Sequence, residues 1–323
     1  MSYHILLTSQ ENFEVPKMQG VYGAPKGKNS ATNAEIVASL SVIKPGDFIF
    51  FYVKNVGIYG VWKVISHPFY DETPIYSDRV YPYRILFEPV IREFEEPILL
   101  HEILDLRDKG KIWTFDMGMF TKKNHFPITS QEGIEILRLL LRNNPVFKPV
   151  RRLKNPYRPI NRRPLWKRFE FDSKGRFRYE GHLNAWLAKS FVDGELRDVF
   201  GDYFDVINYV PTSFNKIMDF FLTHVTRVDS IDILHKFTCL ELKTGTVKEK
   251  DLEQLIRYEN WIARKLADGD FDMVQSILIG FDFDDSVIEF VAKRNKLEHR
   301  KVRLLKYEVM DISLGRIALH EIN

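Results

Sequence analysis

Residues 239–243 read Cys239-Leu240-Glu241-Leu242-Lys243, an apolar strand with an acid and a base two positions apart. Side chains alternate along a strand, so Glu241 and Lys243 share one face, roughly 6.7 Å apart along the chain. Charges in so apolar a setting are costly to bury without partners. A second apolar run, Met218-Asp219-Phe220-Phe221-Leu222, carries a lone acid. A hard divalent cation held by Asp219 and Glu241, with Lys243 beside it, would account for all three charges. That is the chemistry of metal-assisted phosphodiester cleavage.

Working outward, the pattern predicts a helix over about 179–191, with Leu183, Trp186 and Leu187 on one face and Glu180 near its start. Strands are expected near 204–210, 217–224 and 236–243, followed by a long helix over about 248–266. A strand at 273–280, a helix near 285–296 and strands at 302–309 and 312–318 complete an αβββαβ order with additions. This is a mixed sheet flanked by helices. If the strands bearing Asp219 and Glu241 pair, the polar groups converge at one edge of that sheet. Gln254 and Tyr258 lie four residues apart on the long helix and therefore on one face.

The 323 residues suggest two domains. Hydrophobic content of 45% with well-mixed charge argues for a soluble globular chain. No apolar run reaches membrane-spanning length, and the N-terminus lacks the features of a signal peptide. Cys239 is the only cysteine, which excludes internal disulfides and multi-cysteine zinc sites and fits a cytoplasmic location. The net charge is only +3, but residues 148–168 hold nine Lys or Arg and no acid, whereas residues 169–323 are net acidic. That basic segment contains four prolines and separates 1–147 from 169–323 as an extended linker. Its cations, with Tyr157 and Trp166 as stacking groups, also suit a strap on nucleic-acid phosphates.

Residues 1–147 read as mostly β with flanking helices. Strands are expected at 47–53, 58–65 and 83–90, with Lys54-Asn55-Val56-Gly57 as a hairpin connection. Helices are expected near 30–40 and from Thr129, where Glu132 three positions on completes a capping box. Several strands with few helices suggest a small barrel. The run from Gly23 to Gly27-Lys28 is too short for a phosphate-binding loop and follows no apolar strand.

The sequence Pro211…Asp219…Glu241-Leu242-Lys243 resembles the PD-(D/E)xK nuclease signature, and Gln254-Leu255-Ile256-Arg257-Tyr258 resembles the QxxxY motif of its RecB-like branch. The run from Glu241 to Trp261 is similar to the archaeal structure- and mismatch-specific endonucleases. The likeness covers about residues 170–310, and it departs at Met218, where the pattern has proline directly before the acid. It implies a restriction-endonuclease-like fold of the α/β class. Mg²⁺ or Mn²⁺ would be held by Asp219, Glu241, the Leu242 carbonyl and Glu180. Lys243 would position or deprotonate water, and Gln254 and Tyr258 would hold the phosphate or Lys243.

The N-terminal region resembles the EVE and YTH group of PUA-like barrels over about residues 1–145. The likeness is carried by Gly20-Val21-Tyr22-Gly23, Gly46-Asp47-Phe48-Ile49-Phe50-Phe51-Tyr52-Val53, Ile58-Tyr59-Gly60-Val61-Trp62-Lys63-Val64 and Tyr81-Pro82-Tyr83-Arg84. It implies an α+β barrel that binds an extruded, modified base between aromatic faces. Tyr22, in an exposed Gly-flanked loop, and Tyr76, Trp62 and Trp113 are the candidates for that pocket. Lys28, Arg84, Arg151, Arg152, Arg158, Arg162 and Arg163 are candidates for backbone phosphates. Together the two resemblances imply a modification-dependent endonuclease of the restriction kind acting on modified double-stranded DNA, as a homodimer if both strands are cut. The alternatives are a structure-specific or RNA-directed nuclease and a nucleic-acid-binding protein without catalysis.

Overall fold

The N-terminal run Tyr-His-Ile-Leu-Leu-Thr forms strand β1 (Tyr3–Thr8), whose first four side chains are all buried. In the computed structural model, which describes residues 2–90, 92–115, 123–150, 152–165, 169–298, 302–311 and 315–322, the chain forms two units, Met1–Lys167 and Arg168–Asn323. The described residues contain eight α-helices and several sheets. No helix among them is long and apolar enough to cross a membrane.

In unit 1, β1 is followed by α1 (Gln10–Gln19), β2 (Val21–Ala24), α2 (Ser30–Leu40), β3 (Phe48–Val53) and β4 (Gly57–Val64). Then come β5 (Phe69–Tyr70), β6 (Tyr83–Pro89), β7 (Ile98–Leu99), α3 (Leu100–Asp108), β8 (His125–Ile128), α4 (Ser130–Asn143) and β9 (Arg163–Pro164). The strand order is β8-β1-β3-β4-β6-β5-β9, with β2 also on β6 and β7 on β4. β1 runs parallel to β3, while β3 and β4 form the expected hairpin, with Asn55 at φ 64° in the turn. Among the described residues the strands of the expected small barrel form one branched nine-stranded sheet. Alternation along β3 splits the interior. Phe50 and Tyr52 join a core with Ile5, Ile58, Ile103, Phe115, Ile136 and Leu140, whereas Phe51 faces Phe13, Tyr22, Trp62 and Phe87.

Two elements differ from expectation. Residues 21–24, expected as an exposed loop, are a buried strand paired with Leu86 to Tyr83. The chain enters it through Gly20 at φ 63°, whose N–H caps α1 on the Pro16 carbonyl; a Cβ there would lie 2.5 Å from the Phe87 carbonyl oxygen. The basic segment, expected as a linker, lies along unit 1 where it is described. Asn155 N–H donates to Met18 O, Tyr157 N–H donates to Gln19 O, and β9 pairs with β5.

The predicted capping box is present, and Glu132 does more than cap. Its buried carboxylate accepts from the Trp113, Thr114 and Thr129 N–H groups and from the Thr114 hydroxyl. A second buried polar chain links Ser39, His125, His4 and Asp47: Ser39 Oγ to His125 Nδ1 at 2.9 Å, His125 Nε2 to His4 Nδ1 at 3.0 Å, and His4 Nε2 to Asp47 at 3.2 Å. Burial, with His4 and Lys123 nearby, pushes His125 well below the usual imidazole range. Burial works to raise Asp47, but the His4 hydrogen bond and charge, with two backbone N–H groups, bring it below the usual carboxylate value. Both pKa values are depressed in the folded chain, so the unfolded chain takes up protons first. Stability of unit 1 is therefore expected to be full above about pH 6.5 and to fall as the pH drops below it, with Asp47 adding its loss below about pH 4. Urea melts at pH 7.5, 6 and 5 should show that decline, and His125→Gln should flatten it between pH 7 and 5. An unchanged slope in that variant would exclude the His pair as its source.

Unit 2 contains α5 (Glu180–Asp193), α6 (Arg197–Phe200), β10 (Val206–Pro211), β11 (Ile217–Val228), β12 (Ile231–Leu242), β13 (Thr246–Val247) and α7 (Glu249–Leu266). After a 3-10 turn at Phe271–Met273 come β14 (Val274–Gly280), β15 (Asp282–Phe283), α8 (Asp285–Glu298), β16 (Val302–Asp311) and β17 (Arg316–Ile322). The main sheet has the order β10-β11-β12-β14-β16-β17. Its outer pairs are antiparallel, and β12, β14 and β16 run parallel. α5 covers one face, where Phe191 packs on Phe220 at 5.4 Å. α7 covers the other, where Glu259 accepts from Ser276 Oγ and forms a two-pronged pair with buried Arg294 of α8. β11 and β12 extend well past their expected ends, to Val228 and from Ile231, as a long hairpin.

Candidate functional site

Antiparallel pairing of β11 and β12 ends with Phe220 opposite Leu240, which leaves Asp219 and Glu241 as the next residues on adjoining strands. By alternation both lie on the face covered by α7. They are buried, at 6% and 2% exposure. Asp219 Oδ2 accepts the Leu242 N–H at 2.8 Å. Glu241 Oε1 accepts from Lys243 Nζ at 2.7 Å and from Gln254 Nε2 at 2.9 Å, while its Oε2 is buried without a hydrogen-bond partner. Lys243 Nζ also donates to the Leu242 carbonyl at 2.7 Å and lies 3.5 Å from exposed Glu180. The six residues expected at this edge are therefore brought together.

Electrostatics follow from that crowding. Burial pushes Asp219 well above the usual carboxylate range, reinforced by the Glu241 and Glu180 charges. Burial likewise raises Glu241, against the opposing pull of Lys243. Burial works against the Lys243 charge, yet the carboxylates of Glu241, Asp219 and Glu180 hold its pKa above the usual lysine value. The ammonium form of Lys243 is thereby favoured in this arrangement.

Gln254 and Tyr258 act on Glu241. The Tyr258 hydroxyl donates to the Ile217 carbonyl at 2.8 Å and accepts from Gln254 Nε2 at 2.7 Å, whose other hydrogen goes to Glu241. Tyr258 is fully buried, its hydroxyl engaged by Gln254 and the Ile217 carbonyl. Two neighbours were not anticipated. Asn184, four residues after Glu180 on α5, reaches the Asp219 carbonyl at 3.5 Å and is itself held by Asn208. Tyr209 sits at φ 55° in β10, between the residues that pair with Met218 and Phe220 and so opposite Asp219. Left-handed backbone at an aromatic residue costs about 1–3 kcal/mol and is concentrated at functional sites. The signal for Asn184 was its i,i+4 spacing from Glu180 within an apolar helix; Tyr209 left none.

The donor set suits a hard cation in part. Two buried carboxylates, one with an orphaned oxygen, and the adjoining Leu242 carbonyl are potential oxygen ligands, with the Lys243 amine beside them. Among the described residues no three His, Cys, Asp or Glu side chains are grouped as a metal cage. Glu180 lies 3.5 Å from Lys243 in this arrangement.

In unit 1 the pocket candidates separate. Tyr22 is 2% exposed; its hydroxyl donates to the Asn124 carbonyl at 2.9 Å, with Leu7 O at 3.3 Å. Burial raises its pKa well above the phenol value, with Tyr76 and Tyr81 adding to the shift. Tyr76 is buried against Tyr81, ring centroids 4.6 Å apart. Half-buried Trp62 packs edge-on to Phe51, Phe87 and Phe13. Half-buried Trp113 follows Ile112, which belongs to the core that holds Phe50 and Tyr52. Tyr76 thus packs on Tyr81, while Tyr22 and Trp62 meet at Phe51. Tyr22 is a wall of the interior, not an exposed loop aromatic.

Residues 5–139 match the family model of the EVE domain. The UPF0310 protein PH1033 of Pyrococcus horikoshii is 30% identical over 130 residues, 35% of this chain and 83% of that one. The chain belongs to the EVE-domain family. Membership rests on the matched stretch of unit 1. Among solved structures, the Mmi1 YTH domain in complex with RNA is similar over 46% of this chain and 83% of its own, at 16% identity and a TM-score of 0.32. A repair endonuclease from Pyrococcus abyssi is similar over 35% of this chain and 45% of its own, at 18% identity and a TM-score of 0.25.

The EVE domain uses Arg84 internally. Its guanidinium is fully buried, donates to the Tyr81 and Thr73 carbonyls and to the Tyr157 hydroxyl, and lies 3.8 Å from Asp71. Arg84 is therefore a structural cation and not a phosphate contact. Tyr157, expected as a base-stacking group, is tied to Asp71 at 2.9 Å and lies under the Arg84 guanidinium. Asp71 and Thr73 were missed in the sequence because each is an ordinary turn residue there. Arg163 pairs with Glu72 at 3.0 Å and Arg162 lies 4.8 Å over the Phe69 ring. Lys28, Arg152, Arg158, Arg162 and Arg163 remain exposed. Arg151 and Trp166 lie outside the described residues.

Removing only the Tyr22 hydroxyl should be mild and removing the ring severe. Tyr22→Phe is expected to cost about 1 kcal/mol, and Tyr22→Ala about 3–5 kcal/mol. Chemical denaturation checks both; a Tyr22→Ala chain of native stability would return Tyr22 to the surface.

Proposed function

We propose that the protein is a divalent-metal-dependent nuclease whose EVE domain directs a catalytic C-terminal domain of the PD-(D/E)xK type to nucleic acid. The observation that carries this reading is the pair of buried carboxylates, Asp219 and Glu241, on one sheet edge, where Lys243 and Gln254 of α7 hold one Glu241 oxygen and the other has no hydrogen-bond partner. A structural role alone does not account for two mutually destabilising acids held under one helix. Asp219, Glu241 and the Leu242 carbonyl would hold Mg²⁺ or Mn²⁺, with Glu180 reaching it through water. When bound, such an ion polarises the phosphoryl oxygen and lowers the pKa of the attacking water. Lys243 orients the water or the phosphate, and Gln254, fixed by Tyr258, sets the Glu241 rotamer. The exposed cations of residues 152–163 supply affinity for the backbone.

The substrate of first choice is modified double-stranded DNA, read as an extruded base within the EVE domain, with a homodimer cutting both strands. One observation favours a second reading, in which the EVE domain recognises RNA or nucleic-acid shape. Tyr22 and Arg84, both expected to meet the nucleic acid, are committed to the interior. The experiment is cleavage of matched unmodified, cytosine-modified and adenine-modified duplexes and of one RNA, each with Mg²⁺ and with EDTA. Preference for one modified duplex supports the first reading, equal cutting of all duplexes or cutting of RNA supports the second, and no cutting of any removes the nuclease.

A further inference from the structure

A groove of about 260 Å³ opens on the α7 side of unit 2, lined by Lys216, Lys250, Asp251, Glu253, Gln254 and Arg257. Its relation to the carboxylate pair is direct, because Gln254 lines the groove and also donates to Glu241. Lys250, Gln254 and Arg257 follow at i, i+4 and i+7 on α7, a single helical stripe. Lys216 comes from the β10–β11 turn, which is rigidly closed: Thr212 N–H donates to the Lys216 carbonyl at 3.0 Å and Lys216 N–H donates to Thr212 Oγ1 at 3.2 Å. The next residue, Ile217, accepts from Tyr258, so the turn and the helix are locked together beside Gln254. Half-buried Phe214 of the same turn stacks on Tyr258 at 5.8 Å.

The charge in this groove is uncommitted. Lys216, Lys250 and Arg257 are exposed, and among the described residues none of them makes an ion pair. Elsewhere in this acidic unit, Arg176, Lys189, Arg197, Arg227, Arg294, Arg303 and Lys306 pair with carboxylates, whereas Lys174, Lys293 and Lys296, like the groove cations, make no ion pair among the described residues. Of the two acids at the groove, Asp251 is spent on capping the Lys248 N–H at 2.9 Å.

We infer that this groove binds the sugar–phosphate backbone of the nucleic acid, with Lys216, Lys250 and Arg257 each facing a phosphate next to the one presented to Asp219 and Glu241. The inference deepens the nuclease reading but is tested on binding alone. Full-length chain carrying Lys216→Gln, Lys250→Gln and Arg257→Gln is titrated with a labelled DNA duplex in EDTA across salt concentrations. A control chain carries Lys174→Gln, Lys293→Gln and Lys296→Gln, the same charge removed from elsewhere in the unit. Each lost phosphate contact lowers the slope of log affinity against log salt by about 0.9, so the groove variant should lose about 2–3 units of slope and the control less than about one. Affinity of the groove variant at low salt should fall about 10- to 100-fold with its melting temperature unchanged. Equal slopes in the two variants would overturn the inference. Groove-dependent binding by a chain that never cuts would keep the groove and remove the nuclease; cutting without groove-dependent binding would do the reverse.

Discussion

Full-length chain carrying Glu241→Gln is expected to lose about 10³-fold or more of its Mg²⁺-dependent cleavage, equivalent to about 4 kcal/mol of barrier, while its affinity for nucleic acid in EDTA stays within about threefold of wild type. The substitution is nearly isosteric and leaves Lys243 its contact with the Leu242 carbonyl, so the loss isolates the carboxylate. Gln254→Ala should produce a smaller loss, about 10- to 100-fold, because it frees the Glu241 side chain without removing its charge. The two variants together separate the residue that would touch the ion from the one that positions it. Equal losses from both would place Gln254 in contact with the reacting atoms. Rates are read from end-labelled duplex under single-turnover conditions, so that binding and chemistry remain distinct.

Arg84→Leu is expected to destabilise the EVE domain by about 3–5 kcal/mol, the cost of removing one partner from a buried charge pair. Asp71 would be left buried without its cation, and the Tyr157 hydroxyl and the Thr73 carbonyl would each lose a donor. The basic segment should loosen at the same time, since Tyr157 is one of its attachments. Urea denaturation gives the energy, and limited proteolysis with sequencing of the fragments locates the cut within residues 152–165. A stable Arg84→Leu chain with weakened DNA binding would reverse the assignment and make Arg84 a phosphate ligand.

The parts of the chain that could be read in advance are those governed by local periodicity. α2, the capping box at Thr129 and the order from α5 to β16 follow from apolar spacing and turn chemistry that act within a dozen residues. The carboxylate edge was legible for a related reason: acids in otherwise apolar strands need an explanation wherever they sit. What escaped notice was decided by distant partners. α1 contains Pro16 and little amphipathic pattern, and exists because Phe13 packs into the aromatic face of β3. Arg84 in an apolar strand reads as a surface cation until Tyr157, 73 positions away, closes over it. The basic segment looked like a tether because proline and charge usually mean solvent, yet its backbone is paired to α1 and β5. Tyr22 lies beside glycines that suggest a loop, and only pairing with β6 shows it to be a strand. Long-range pairing of this kind leaves little trace in local composition.

The most direct measurement is the cleavage of a labelled duplex by purified wild-type chain, beside Asp219→Asn, as Mg²⁺ is titrated against EDTA. Wild-type cutting that rises with free Mg²⁺ and stops in EDTA, together with an Asp219→Asn chain that binds the duplex but leaves it intact, is the expected result. Cutting by Asp219→Asn at the wild-type rate, or wild-type cutting that persists in EDTA, would contradict a metal-dependent centre at Asp219 and Glu241.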